Sequence, residues 1–225
     1  LDTFVQAVEA RGGHVHYART ADDAVRYVCD LARAKGVKRA TLELGGHSPV
    51  VVFGDADPEK TADTIAAFKF RNAGQVCISP TRFYVQEKAY DRFVAKFVDY
   101  ASRIKVGPGI DPDSRMGALA HERRVGEMQK FVDDAKQRGG KIETGGAAVE
   151  GKGNFVLPTI VTGLSNDAEV VQTETFAPIL YVMKFSKLDE ALDLQNAVPQ
   201  GLSSSIFTTN LKRAEAFLAA SGSDC

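Results

Sequence analysis

Residues 70–79 read FRNAGQVCIS and follow a segment, beginning at Asp55, that has the hydrophobic spacing of a helix. Gly74 predicts that the chain leaves the helix here, because glycine permits tight turns or the close approach of a ligand. The next segment, Arg82–Gln86, has the composition of a strand. This order predicts that Cys77 lies in a connection between a helix and a strand.

Strand and helix patterns alternate along much of the chain. The continuous apolar run from Pro49 to Phe53 is typical of a strand buried on both faces. Hydrophobic residues recur at helical spacing from Tyr90 to Ile104 and from Val125 to Ala135. Further strands are predicted at 179–185 and 204–208, and further helices at 188–197 and from 210 to about 222. The alternation predicts the α/β class, with a mostly parallel sheet flanked by helices.

Residues 1–40 are predicted to form a helix–strand–helix segment. His14–Tyr17 is a short extended stretch, Thr20 is a candidate N-cap, and Gly36 is the expected end of the following helix. Cys29 lies in the middle of this helix among apolar neighbours, which predicts a small buried side chain without a chemical role.

Composition excludes several classes of function. The 225 residues include 28 Lys and Arg against 29 Asp and Glu, a balance that argues against nucleic-acid binding. No apolar run reaches the roughly 18 residues of a membrane span, and no signal-peptide pattern is visible at the N-terminus. Cys29, Cys77 and Cys225 form no CxxC pair, which argues against a metal centre or a disulfide scaffold. We therefore expect no metal, no membrane or nucleic-acid partner, and a reducing, cytoplasmic setting.

Cys77 and Glu43 are the candidate catalytic residues. Glu43 precedes the thiol by 34 residues and lies in an apolar stretch followed by two glycines, where an unpaired carboxylate would be costly. A thiol nucleophile and a carboxylate base are the groups that covalent catalysis on a carbonyl requires. Taken alone, a single cysteine is more often a small buried hydrophobe.

From about residue 39 to 225 the chain resembles the catalytic domain of the aldehyde dehydrogenase superfamily. The resemblance rests on three ordered motifs, LELGG at 42–46, FxxxGQxC at 70–77 and ETFAP at 174–178. It implies that Cys77 is the nucleophile, with Glu43 as the general base.

The same resemblance implies a site for NAD or NADP. Glu174 and Phe176 would hold the nicotinamide ribose, and the carbonyl of Leu44 would contact the nicotinamide amide. Arg82 is interpreted as a structural residue that forms a salt bridge beneath the loop, and His47 as a surface or hydrogen-bonded histidine.

The two ends of the chain depart from the family pattern. Residues 1–40 weakly resemble a segment of lactate-utilisation iron–sulfur proteins, without cluster-binding cysteines, and replace the end of the dinucleotide-binding domain. Asp22 and Asp23 at a helix start oppose phosphate binding, so NAD(P) binding is expected to be impaired. Residues 41–225 are interpreted as a catalytic domain truncated at its C-terminus, where residues 200–208 and 222–225 resemble the aminoadipic semialdehyde dehydrogenase branch.

The expected function is NAD(P)-dependent oxidation of a small aliphatic aldehyde or semialdehyde to a carboxylic acid. The implied route passes through a thiohemiacetal and a thioester on Cys77, and is expected to be incomplete in this chain alone. Two alternatives are a cofactor-free thiol esterase and a non-catalytic scaffold or interaction domain. The resemblance leaves a homo-oligomer open.

Overall fold

The computed structural model describes residues 2–18, 20–36 and 45–223. The chain divides into two compact units, Leu1–Glu43 and Leu44–Cys225.

The first unit contains helices α1 (Asp2–Glu9) and α2 (Ala21–Lys35). The hydroxyl of Thr20 accepts a hydrogen bond from the Asp23 amide at 3.1 Å, and Gly36 ends α2 in the left-handed conformation. Both ends of this helix therefore lie where the sequence predicts them.

Two predictions for this unit are wrong. The expected strand at His14–Tyr17 is not formed, since residues 13–18 pair with no strand in the described part of the chain and the ring of His16 stacks on Tyr27 at 3.7 Å. Cys29 is exposed rather than buried. Hydrophobic spacing identifies one face of a helix, but it does not show whether another element covers that face.

In the second unit, helices and strands alternate as the sequence predicts. The elements in chain order are β1 (Val50–Val52), α3 (Pro58–Lys69), β2 (Arg82–Gln86), α4 (Glu87–Ser102), α5 (Glu122–Gln137), β3 (Lys141–Thr144), β4 (Thr159–Thr162), α6 (Glu169–Gln172), β5 (Ile179–Phe185), α7 (Leu188–Asn196), β6 (Ser205–Phe207) and α8 (Leu211–Leu218). The sequence prediction did not include β3, β4 or α6.

The six strands found among the described residues form one sheet in the order β3-β4-β5-β2-β1-β6. All neighbouring pairs are parallel except β3–β4, so the predicted α/β class with a mostly parallel sheet is confirmed. Every residue of β1 and β4 is buried, as expected for strands covered on both faces.

Aromatic side chains form the contact between α3, α4 and the sheet. Phe97 of α4 makes edge-on contacts with Phe83 at 5.2 Å, Phe93 at 5.5 Å and Phe70 at 6.0 Å between ring centroids. Such edge-to-face pairs stabilise a core beyond the area that they bury. They hold the end of α3 against the sheet, directly before the turn that carries Cys77.

The parallel sheet determines where the sequence motifs meet. The segments 45–49, 74–81, 173–178 and 201–204 directly precede β1, β2, β5 and β6, respectively. These four strands are parallel neighbours, so their amino ends lie along the same edge of the sheet. Motifs separated by more than a hundred residues are therefore adjacent in the fold.

Candidate active site

Cys77 follows a turn with an uncommon backbone conformation. Asn72, Ala73 and Gly74 all have positive φ, at 52°, 53° and 70°, a conformation that costs a residue with a side chain roughly 1–2 kcal/mol. Asn72 and Gln75 offset this cost by exchanging hydrogen bonds of 3.0 Å between their side-chain amides and backbone carbonyls. Gln75 also accepts a bond from the Ala120 amide at 2.8 Å, which anchors the turn to a second loop. Cys77 is half-buried at the end of this turn.

Gly74 is closely approached by another group, but that group is protein backbone and not a ligand. A side chain at this position would overlap the carbonyl of Ala177. The prediction of a tight turn is confirmed, and the group that approaches Gly74 belongs to the third motif.

Gly46 brings the first, second and third motifs together. Its amide donates a hydrogen bond to Oε1 of Glu174 at 3.2 Å. A methyl group on Gly46 would lie 3.0 Å from the carbonyl oxygen of Cys77, and one on Gly45 would lie 2.6 Å from Oε2 of Glu174. A side chain on Gly46 would crowd the backbone carbonyl of Cys77, and a side chain on Gly45 would displace the carboxylate of Glu174.

Glu174 and Phe176 lie on the loop that precedes β5. Glu174 is half-buried, whereas the side chain of Phe176 is 37% exposed and its φ is 48°. The guanidinium of Arg124 donates to the carbonyl of Thr175 between them. This loop presents a carboxylate and an aromatic ring beside the segment that carries Cys77.

His47 links the glycine pair to the end of α6. Its Nε2 lies 3.0 Å from the carbonyl of Gln172 and its Nδ1 lies 3.0 Å from the hydroxyl of Thr81. Burial and the charge of Arg82 lower the pKa of His47 to about 4, so the ring is neutral at pH 7. Because a carbonyl can only accept, Nε2 carries the proton of the neutral ring. The Thr81 hydroxyl, which lies beside Nδ1, donates to the backbone carbonyl of His47 at 2.7 Å. His47 is thus a buried hydrogen-bonded histidine, one of the two alternatives for it.

Arg82 and Lys69 are buried beneath the same edge of the sheet. Arg82 donates to the hydroxyl of Tyr84 at 2.8 Å and to the carbonyl of Gln195 at 2.9 Å, which agrees with a structural interpretation. Lys69 donates to the carbonyl of Ala177 at 3.1 Å, and burial lowers its pKa to about 7.

The structure thus joins Cys77, Glu174 and the glycine pair, and places Phe176 on the adjoining loop. Glu43 and Leu44 lie outside the described residues. Sequence reasoning missed Lys69, although its position four residues after Ile65 puts it on the inward face of α3. A lysine on an apolar helix face was the signal that could have identified it.

None of the helices in the described ranges is both long enough and apolar enough to cross a bilayer.

Comparison with known proteins identifies the family. Residues 21–222 match the family model described as the aldehyde dehydrogenase family, so the match includes α2. A homolog of aldehyde dehydrogenase family 7 member A1 from Caenorhabditis elegans is 44% identical over 188 residues, and the alpha-aminoadipic semialdehyde dehydrogenase of Mus musculus is 40% identical over 187. These alignments cover 82% and 83% of this chain but only 35% of each relative, so the chain spans about a third of their length.

Solved structures show the same similarity. The NAD-dependent aldehyde dehydrogenase of Sinorhizobium meliloti superposes with a TM-score of 0.77 at 35% identity, over 84% of this chain and 38% of that protein. An NADP-dependent enzyme of Escherichia coli superposes with a TM-score of 0.78 at 34% identity, over 85% and 40%. None of these relatives is an iron–sulfur protein, so the weak resemblance of residues 1–40 to that class has no support. The match of the family model, the relatives and the shared fold show that this chain belongs to the aldehyde dehydrogenase family.

Proposed function

We propose that this chain carries the catalytic-domain chemistry of an NAD(P)-dependent aldehyde dehydrogenase, with Cys77 as the nucleophile. The observation that carries the proposal is the contact at Gly46, whose amide binds Glu174 while its α-carbon faces the Cys77 carbonyl. The contact supports the proposal because it joins the segment of Cys77 to the loop of Glu174 and Phe176, the residues that we propose to hold the nicotinamide ribose.

The proposed reaction follows from the groups present. The thiolate of Cys77 attacks the aldehyde carbon and forms a thiohemiacetal, whose oxyanion requires hydrogen-bond donors such as the Cys77 amide. Loss of hydride from this intermediate leaves a thioester on Cys77. Glu43 then removes a proton from water, which attacks the thioester and releases the carboxylic acid and the free thiol.

NAD or NADP supplies the hydride acceptor when it is bound. The residues of the second unit fit its nicotinamide ribose, because Glu174 keeps acceptor capacity beyond its bond to Gly46 and Phe176 presents a partly exposed ring. The first turn of α2 does not fit the diphosphate, because Asp22 and Asp23 are acidic and the hydroxyl of Thr20 already caps the Asp23 amide. The choice of a small aliphatic aldehyde or semialdehyde as substrate rests on the names of the relatives.

The test is reduction of NAD+ or NADP+ followed at 340 nm, with propionaldehyde and succinic semialdehyde as substrates. We expect Cys77→Ala to lower the rate at least about a thousandfold, since a covalent route requires its nucleophile. The matched control is Cys29→Ala, which replaces an exposed cysteine of the first unit. Equal rates for the unsubstituted chain and Cys77→Ala would exclude the proposed dehydrogenase activity.

A second candidate is thioester chemistry without a nucleotide. It is favoured because Cys77, Gly46 and Glu174 belong to one compact unit, whereas the acidic start of α2 belongs to the other unit. Hydrolysis of p-nitrophenyl acetate without nucleotide tests it, with Cys77→Ala as the inactive variant. If Cys77 also reacts with iodoacetamide no faster than free cysteine and neither assay shows turnover, the chain is a non-catalytic scaffold.

A further inference from the structure

Lys69 is a buried basic residue that the proposed reaction does not use. It is the last residue of α3 and its side chain is fully buried. Its Nζ donates to the carbonyl of Ala177 at 3.1 Å and to the hydroxyl of Ser79 at 3.4 Å. The Ser79 hydroxyl in turn donates to the carbonyl of Lys69 at 3.3 Å.

The partners of Lys69 belong to the two segments that form the candidate site. Ser79 follows Cys77 by two residues, and Ala177 follows Phe176 directly. The Ala177 carbonyl that accepts from Lys69 is also the group against which Gly74 lies. One side chain therefore spans the nucleophile segment and the loop of the third motif at the point where they touch.

Burying an amine at this position costs free energy. Moving an ammonium group out of water costs several kcal/mol, and an apolar side chain of similar length would fill the same volume without that cost. The gain must come from the bonds that the amine makes. One of them holds the peptide next to Phe176, whose left-handed backbone is itself unfavourable.

We propose that Lys69 is a positioning residue that holds Phe176 and Glu174 in place relative to Cys77 by binding the Ala177 carbonyl and the Ser79 hydroxyl. The inference deepens the proposed function and rests on it for the role of Phe176. Lys69 touches neither substrate nor nucleotide in this proposal. Its loss should therefore weaken nucleotide binding more than it slows the chemistry on Cys77.

The first test measures the position of the loop without any nucleotide. The chain contains no tryptophan, so Phe176→Trp introduces a single fluorescent reporter at the loop. Adding Lys69→Met, which keeps the length and removes the donors, should raise acrylamide quenching several-fold and lower the anisotropy. The matched control is Lys60→Met, on the exposed side of the same helix, which should change neither. Equal quenching and anisotropy with and without Lys69→Met would overturn the proposal.

A pH titration of the same reporter requires no substitution at Lys69. Loss of the Lys69 proton near pH 7 removes the charge from its bond to Ala177, so quenching should rise between pH 6 and 8.5. Other ionisable groups near the loop are Glu174, His47, whose ring is neutral in this range, and the α5 pair Arg124 and Glu127, with His121 next to that helix. The transition should disappear in Lys69→Met. The proposal would be contradicted if the transition persists in Lys69→Met. It would also be contradicted if the reporter shows no transition when Lys69 is present.

The second test uses steady-state kinetics of the chain with Phe176 intact. Lys69→Met should raise the KM for NAD(P) by about tenfold, the effect of one charge-assisted hydrogen bond, and leave the rate of Cys77 alkylation unchanged. An unchanged KM would contradict the positioning role, whether or not alkylation of Cys77 becomes slower. If no nucleotide reduction occurs even without substitution, the proposed function fails, while the fluorescence test still decides the role of Lys69 in the loop.

Discussion

His47 and Lys69 are two buried basic side chains beneath one edge of the sheet, and burial lowers the pKa of both. Each of these two residues therefore keeps its proton to a higher pH in the unfolded chain than in the folded chain. The two states differ in bound protons between about pH 4 and 6.5 at His47 and between about pH 7 and 10.5 at Lys69, and these are the two pH windows in which stability changes. Because the unfolded state binds more protons in these windows, the free energy of unfolding rises with pH through each of them.

We expect Lys69→Met to remove the alkaline part of this dependence. The free energy of unfolding of the unsubstituted chain should increase by up to about 3 kcal/mol between pH 7 and 9.5, as the buried ammonium loses its proton. Lys69→Met should show no such increase. Above pH 10 both should lose stability, since burial raises the pKa of Tyr84 and Tyr90 to about 12.

Urea unfolding followed by far-UV circular dichroism, repeated across this pH range, measures the difference. Lys60→Met is the control, because Lys60 is exposed on the same helix. Parallel curves for the unsubstituted chain and Lys69→Met would show that Lys69 stays charged in the folded state.

At the scale of elements, the turn between α3 and β2 shows how neighbouring segments support a strained backbone. Three successive residues have left-handed conformations, and Gln75 holds them by donating to the carbonyl of Asn72 and accepting from the amide of Ala120. The sequence predicts where the helix ends, but the partner that crowds Gly74 comes from the segment before β5.

Replacing Gly74 by Ala should lower the free energy of unfolding by about 2 to 5 kcal/mol. The new methyl group adds backbone strain at φ 70° and overlaps the Ala177 carbonyl. The matched control is Gly126→Ala in the middle of α5, where no atom lies within 4 Å of the new methyl. That substitution should raise stability by about 1 kcal/mol, through helix propensity. Chemical denaturation of both variants is the measurement, and similar losses would refute the close approach at Gly74.

At the scale of the whole molecule, the buried core belongs to the second unit. Among the described residues, the core cluster is drawn from Val50 to Phe217. The sheet and the contacts around Cys77 lie within the same unit.

A fragment of residues 44–225 should therefore fold without the first unit. We expect its main thermal transition, followed by circular dichroism, to fall within a few degrees of that of the full chain, because the core residues are unchanged. Cys77→Ala in both lengths controls for oxidation of the thiol. A fragment that lacks a cooperative transition would show that the first unit is needed for folding.

Local pattern alone determined several features of this protein. The ends of β2 and β5, the caps of α2 and the break after α3 all follow from the order of nearby residues. The reason is physical, since hydrophobic spacing, caps and glycine conformations act over a few positions along the chain. The same locality explains why β3 was missed, because it is half-exposed and has little hydrophobic pattern.

The surroundings of the thiol depend on the tertiary structure. The sequence predicts Cys77 and Glu174 as separate motifs, but their connection through Gly46 depends on the parallel strands that start at one edge of the sheet. The exposure of Cys29 and the bond from Lys69 to Ala177 were likewise not predictable. These features depend on which element covers a face and on bonds between residues more than a hundred positions apart, and no local pattern contains that information.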